Sequence, residues 1–334
     1  MISNFLKRRY FLYRYRPSKI RIEASTICQL RCSGCSFQNN NHDNLGEGFL
    51  RFDNFKNLLD NNTFIREVEL SNWGEIFLNP ELVDIMRYAN EKRVSLTAYN
   101  GCNFNTVSEA QLNAMVDYSF KVIQLSIDGA SHESYAKYRI GGNFDNVIDN
   151  IKKLIEIKKQ KNSNYPQIRW QYVINEYNEL EVGKAKEIAS KLGIPIHFKL
   201  NWDRNYIPKN TEYLKAETKL QRLTRDEMEQ KIKSDYLGEI ICGDMFHAPQ
   251  INWNGDLLGC CEMTFSPYKI NAFETSLEDA LKSEEFMKAK ECLLTLHPSK
   301  EKFGNCVCFN CQHRKTREQY GKVLNIQKKK VGKK

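Results

Sequence analysis

Ile20-Arg-Ile-Glu-Ala-Ser-Thr-Ile-Cys28-Gln-Leu-Arg-Cys32-Ser-Gly-Cys35 reads as a strand-like run that passes directly into a loop carrying three thiols. The cysteines are spaced C-x3-C-x2-C, and each thiolate can supply one ligand to a soft metal or an iron–sulfur cluster. Three local thiolates leave a four-iron cluster with one iron free of protein and open to a cofactor. A zinc knuckle completed by a distant fourth ligand has the same local spacing. With residues 20–27 as a first strand, the loop sits at its carboxyl end, the face on which α/β barrels gather their chemistry.

Outward from that loop, strand and helix patterns alternate. Further strands are read at residues 68–71, 94–99, 121–127, 168–173 and 195–200. Between them, Asp53 caps a helix that turns Phe55, Leu58 and Leu59 inward. Asn79-Pro80 opens one with Leu82, Ile85, Met86 and Ala89 at helical spacing. Ser108-x-x-Gln111 is a capping box above Leu112, Met115 and Val116. Phe144, Val147, Ile148, Ile151, Leu154 and Ile155 form a clear helical stripe. Leu180, Ala185, Ile188, Ala189 and Leu192 mark the next helix, with Gly193 as its stop. Six β/α units before residue 200 predict a parallel sheet with right-handed crossovers, an α/β fold closing only part of a barrel, (β/α)6. Residues 201–240 are polar and partly helical, from Leu214 to Lys233, and read as a connector.

The chain has 334 residues, enough for a barrel-sized domain with a small appendage. No run approaches the roughly 20 apolar residues of a membrane span, and the first residues lack the apolar core of a secretory signal. Nine of the eleven cysteines cluster at 28/32/35, 242/260/261 and 306/308/311, which argues for metal in a reducing cytoplasm rather than for disulfides. Cys102 and Cys292 stand apart and read as buried thiols. The net charge of +9 is concentrated at the ends. The segment 1–17 (Phe5, Leu6, Lys7, Arg8, Arg9, Tyr10 to Tyr13, Arg14, Arg16) reads as a short amphipathic element packed on the barrel. Residues 313–334 read as a solvated basic tail. No RNA-binding or helix-turn-helix pattern supports a nucleic-acid partner.

C-x3-C-x2-C after a first strand resembles the cluster loop of the radical S-adenosylmethionine (SAM) superfamily. The resemblance implies that Cys28, Cys32 and Cys35 hold a [4Fe–4S] cluster whose fourth iron chelates SAM. The family often places an aromatic residue before the third cysteine; here it is Gly34, and Phe37 is the nearby substitute for packing against adenine. Ser71-Asn-Trp-Gly74-Glu75 resembles the Gly-Gly-Glu-Pro motif that holds the SAM amino group, matching only at Gly74 and Glu75. A strand-to-helix turn with a capping glutamate is the plainer reading. Tyr99-Asn100-Gly101 resembles the family's Thr-Asn-Gly. Ser126-Ile-Asp128-Gly129, with Tyr138-Arg139 and Gly141-Gly-Asn-Phe144, resembles a stretch of the SPASM branch, which places Ser126 and Arg139 near SAM. Arg139 suits a carboxylate because its fork can bind two oxygens; an ion pair with the protein is the plainer reading.

Cys242-x17-Cys260 and Cys308-x2-Cys311 bracket a hairpin signal, Asn252-Trp-Asn-Gly255-Asp. The four cysteines resemble the SPASM/twitch appendage of radical SAM enzymes and imply one auxiliary [4Fe–4S] cluster, two clusters in all. Cys261 and Cys306 are spare candidates, and a four-cysteine zinc ribbon has similar spacing. The expected domains are thus a radical SAM partial barrel at 18–200 and an auxiliary-cluster domain at 241–312. The implied activity is reductive cleavage of SAM to a 5′-deoxyadenosyl radical, hydrogen abstraction from substrate, and net oxidation with the auxiliary cluster as electron acceptor. The implied donor is a flavodoxin or ferredoxin. The shortness of the segment before the first strand favours a small molecule, a sugar derivative or a short peptide. A peptide maturase with a separate leader-binding partner is the alternative, as is a zinc or iron–sulfur protein without catalysis. Trp170, Tyr172, His197, Lys199 and Trp202 are read on or just after the fifth and sixth strands, with Trp170 and Tyr172 as core.

Overall fold

A computed structural model of the chain describes residues 10–35, 42–201, 203–228, 242–263, 268–295, 297–311 and 314–315. Seven strands form one sheet: β1 (Lys19–Ile22), β2 (Glu67–Glu69), β3 (Ser95–Cys102), β4 (Val122–Ser126), β5 (Gln167–Val173), β6 (Ile196–Lys199) and β7 (Gln250–Ile251). Their order is β6-β5-β4-β3-β2-β1-β7, and every neighbouring pair is parallel. β6 and β7 are the two edges, so the barrel is open. The six strands read from the first 200 residues are all present. The seventh comes from beyond residue 240 and extends the same sheet beside β1, so the C-terminal region is joined to the barrel edge by backbone hydrogen bonds.

The helices between the strands follow local chemistry. Phe144–Gln160 starts at an Asn143 cap, and Glu109–Asp117 starts at the Ser108–Gln111 capping box. Val182–Leu192 stops at Gly193, whose φ of 66° is left-handed. Three readings shift. Arg51, not Asp53, occupies the cap of Phe52–Asn61, and Asp53 lies in its first turn. The helix after Pro80 begins only at Leu82 because Asn79 is fully buried, its amide bridging the carbonyls of Ala24 and Leu50. Leu180 falls in the short 3-10 turn Glu179–Glu181 and is 68 % exposed rather than on the apolar stripe.

Strand register separates two faces. Ile20, Val68, Leu96, Ile123, Ile168 and Trp170 are buried on the apolar face of the sheet. Burying each large apolar side chain contributes about 1.5–3 kcal/mol. The opposite face is polar: Arg21 pairs in register with Glu69, and Glu69 with Thr97. Gln124 follows two residues after Val122, and Gln171 pairs with His197. Thr97 Oγ1 donates to Glu69 Oε2 at 2.7 Å, Gln124 Nε2 to Gln171 Oε1 at 2.6 Å, and Gln171 Nε2 to Ser126 Oγ at 3.2 Å. The concave side is therefore a hydrogen-bonded polar surface, whereas parallel sheets covered on both faces are usually apolar throughout.

Candidate active site: the cysteine loop and the ends of β1 to β4

The loop carrying Cys28, Cys32 and Cys35 is held by the segments that follow three other strands. Glu75 N, after β2, donates to Ile27 O at 2.9 Å. Gln29 Nε2 donates to Asn103 Oδ1 at 2.8 Å and to Thr106 Oγ1 at 3.1 Å, both after β3. Arg31 N donates to Ile140 O at 2.9 Å and Ser33 N to Tyr138 O at 3.1 Å, both after β4. The three thiols are free and partly exposed. Burial pushes the Cys28 thiol up to about 12 and raises that of Cys32 against the opposing pull of Arg139. Metal binding at such thiols releases protons.

Arg139 links the loop to β4. Its Nε and Nη2 both reach Asp128 Oδ2, at 2.6 and 2.5 Å, and its Nη1 lies 3.5 Å from Cys32 Sγ. Asp128 is fully buried, and its other oxygen accepts from Val173 N at 2.7 Å. The pair thus has a buried carboxylate and a half-buried guanidinium, and the guanidinium faces a thiol.

Gly74 lies so close to the end of β1 that a Cβ would overlap the Ser25 carbonyl, so glycine is required there by backbone contact within the chain. Glu75 is buried; its oxygens accept from Phe77 N at 3.1 Å and from Asn103 N and Nδ2 at 2.6 and 2.5 Å. Asn100 Nδ2 donates to Ser71 O and Asn72 Oδ1, at 2.9 and 3.0 Å. Ser126 is buried with Gln171 on its hydroxyl, and a Cβ on Gly101, whose φ is 110°, would overlap that hydroxyl. Phe37 and Trp202 lie outside the described residues. Trp170 and Tyr172 are fully buried and bonded to Ile127 O and Asn178 O. His197 and Lys199 are exposed on the edge strand β6.

Three features escaped the sequence reading. The space a side chain would take at Gly34 is filled by the Tyr138 hydroxyl, so an aromatic ring reaches this position from the short helix His132–Tyr138. Glu69 is buried at the end of β2, accepting from Ser71 Oγ at 2.6 Å and Tyr99 N at 2.7 Å. Glu23, just past β1, is buried and accepts from Trp73 N at 3.1 Å and Gln250 Nε2 at 2.7 Å. The available signal was a glutamate within each strand-like run.

The C-terminal cysteines gather near β7. Cys242 caps the turn Gly243–His247, and the thiols of Cys260 and Cys261 lie with a carboxylate oxygen of Asp244 within 4.8 Å of one another. The Cys260–Cys261 hydrogen bond raises the first thiol's pKa and lowers the second's. The hydrogen bond with Cys306 and burial raise the Cys308 thiol's pKa, and the nearby charges of Cys306, Cys242 and Cys311 add to the rise. Cys102 stands apart, its thiol on Gln124 O at 3.5 Å. Cys292 is buried as expected but does not stand apart: it hydrogen-bonds Cys306. The hairpin is present, with Ile251 bridged to Leu257 and Asn252 N bonded to Asp256 O at 2.9 Å.

Residues 22–166 match the family model described as the Radical SAM superfamily. Among solved structures, Streptococcus suis SuiB bound to S-adenosylmethionine is similar with 13 % identity and a TM-score of 0.62, covering 87 % of this chain and 71 % of that one. SuiB bound to its precursor peptide SuiA has 15 % identity and a TM-score of 0.61, covering 85 % and 69 %. Native anSMEcpe with bound AdoMet has 14 % identity and a TM-score of 0.55, covering 92 % and 98 %. These likenesses establish the fold. No curated protein matches the chain. Among the described residues, no helix is long and apolar enough to cross a membrane.

Proposed function

We propose that this chain, a radical SAM protein through residues 22–166, binds a [4Fe–4S] cluster and SAM on the Cys28–Cys35 loop and oxidises a peptide or a small polar molecule. The carrying observation is three free thiols on one loop clamped from β2, β3 and β4, with the Arg139 guanidinium directed at one of them. The donor set fits the group: soft sulfur ligands, partly exposed, with a cation placed to favour a negatively charged sulfur. A cluster held by Cys28, Cys32 and Cys35 would supply one electron for the reductive cleavage of SAM.

The protein's part is orientation. Arg139 donates toward Cys32 and is itself oriented by Asp128. Gly74, Glu75, Asn100 and Ser126 border the loop and the adjacent strand ends, and we assign the SAM contacts to this group, in which Gly74 and Asn100 are half-buried and Glu75 and Ser126 buried. The polar concave face suits a substrate with many hydrogen-bonding groups. Cys242, Cys260, Cys308 and Cys311 are the proposed ligands of an auxiliary cluster that accepts the substrate's electron, with an acidic redox protein such as flavodoxin or ferredoxin as donor to the first cluster. A peptide substrate is favoured over a sugar derivative by the fold shared with SuiB, which was crystallised with its precursor peptide.

The deciding experiment is iron and sulfide analysis after anaerobic reconstitution, wild type beside a Cys28/Cys32/Cys35→Ala triple variant, followed by SAM-cleavage assays. The expectation is about eight irons falling to about four. Zinc with little iron would overturn the enzyme reading. Four irons lost entirely in the variant would remove the auxiliary cluster and, with it, net oxidation.

A further inference from the structure

Away from the cysteine loop, the N-terminal segment folds against the C-terminal helices and leaves a cavity of about 470 Å3. Pro17 and Phe64 line it, and they precede β1 and β2. The cavity therefore lies at the amino ends of these strands, whereas Cys28 follows the carboxyl end of β1. The arrangement is anchored by Arg16 on Glu278 at 2.7 Å, by Tyr15 Oη on His247 Nδ1 at 2.5 Å, and by the edge-on contact of Phe11 with Phe246 at 5.8 Å.

Its charge is unbalanced. Arg14, Arg16, Lys282 and Lys290 line it with one acid, Glu278, and Glu278 already pairs with both Arg16 and Lys282. Lys290 is 6 % exposed. Its ammonium has the Leu281 carbonyl at 3.2 Å and the Phe286 ring at 5.3 Å, and burial pushes its pKa down to about 8. No carboxylate pairs with Lys290 or Arg14 among the described residues. A buried ammonium without a counter-charge is costly, and an entering anion offsets that cost with charge-assisted hydrogen bonds. Tyr10 and Tyr13, 51 % and 63 % exposed, add rigid ring faces with hydroxyl tips, the side chains that peptide-binding surfaces favour.

We propose that this cavity is a second binding site, for an acidic peptide segment, with a carboxylate on Lys290 and Arg14 and an apolar side chain between Tyr10 and Tyr13. Its volume falls in the range of small-ligand sites. The site is independent of the reaction performed at the cysteine loop.

The test is calorimetric titration of the full-length holoprotein with acetyl-Glu-Phe-Glu-Glu-amide, with its Gln-Phe-Gln-Gln counterpart and with inorganic phosphate. The expected result is saturable binding of the acidic peptide, weakened about tenfold or more for the glutamine peptide and for Lys290→Met, and retained in Lys290→Arg. Arg14→Ala, at an exposed position, serves as the second variant should Lys290→Met fail to fold. Absence of binding by the wild type, or equal binding by wild type and both variants, overturns the site. Phosphate binding as tightly as the peptide overturns the peptide assignment and leaves a free-anion site.

Discussion

Arg139 Nη1 stands 3.5 Å from Cys32 Sγ while the same guanidinium holds Asp128 Oδ2 through Nε and Nη2. A buried carboxylate thus aims a cation at a thiol 107 residues away in sequence. Replacing Arg139 with Met leaves the Asp128 carboxyl buried and bonded only through its other oxygen to Val173 N. Removing one partner of a buried pair costs about 3–5 kcal/mol. Urea unfolding of the apoprotein is expected to show that loss for Arg139→Met. Arg139→Lys should recover part of it but not the contact with Cys32, so its iron content after reconstitution should stay below wild type. Wild-type stability and iron content in Arg139→Met would remove the link.

Gly34 has no room for a side chain because the Tyr138 hydroxyl fills the space. Gly34→Ala is expected to destabilise by about 1–3 kcal/mol through overpacking. Adding Tyr138→Ala should relieve the overlap. A double-variant cycle showing strict additivity would contradict the contact.

Glu23 is fully buried, and burial pushes its carboxyl from 4.5 up to about 8. Between these values the folded chain keeps a proton that the unfolded chain has lost. Stability contributed by protonated Glu23 is therefore present at low pH and declines as pH rises through about 8. Glu23→Gln keeps an oxygen for Trp73 N, and its amide nitrogen takes the place of the oxygen that accepts from Gln250 Nε2, so the Gln250 amide must turn over to present its Oε1, which is buried and without a partner among the described residues. Urea unfolding from about pH 5 to about pH 8 should show a flatter profile in the variant. Identical slopes would mean that Glu23 titrates elsewhere.

Asn79 joins the end of β1 to the loop before Phe52–Asn61 through the Ala24 and Leu50 carbonyls, at 2.8 and 2.9 Å. Asn79→Ala leaves both buried acceptors without this donor and is expected to cost about 3 kcal/mol. Thermal unfolding of the apoprotein measures it; a loss of only a few tenths would show that water replaces the amide.

What the sequence determined was what neighbouring residues decide among themselves. The C-x3-C-x2-C spacing, the Ser108–Gln111 box, the Gly193 stop and the stripe from Phe144 to Leu154 all act within a few turns of chain, and each is where the pattern placed it. The alternation of strand and helix carried the parallel open sheet with it, because right-handed crossovers leave few other topologies. What tertiary structure decided was which distant groups meet. Strand register turned Glu69, Thr97, Gln124 and Gln171 onto one polar face, although each lies in a run that reads as simply strand-forming. The chain's return beside β1 made Gln250–Ile251 a seventh strand, too short to carry a period of its own. The same packing set Tyr138 over Gly34, Arg139 on Cys32 and Cys292 against Cys306. Such meetings depend on where a strand ends relative to its neighbours in the sheet, and local preference along the chain does not encode that distance.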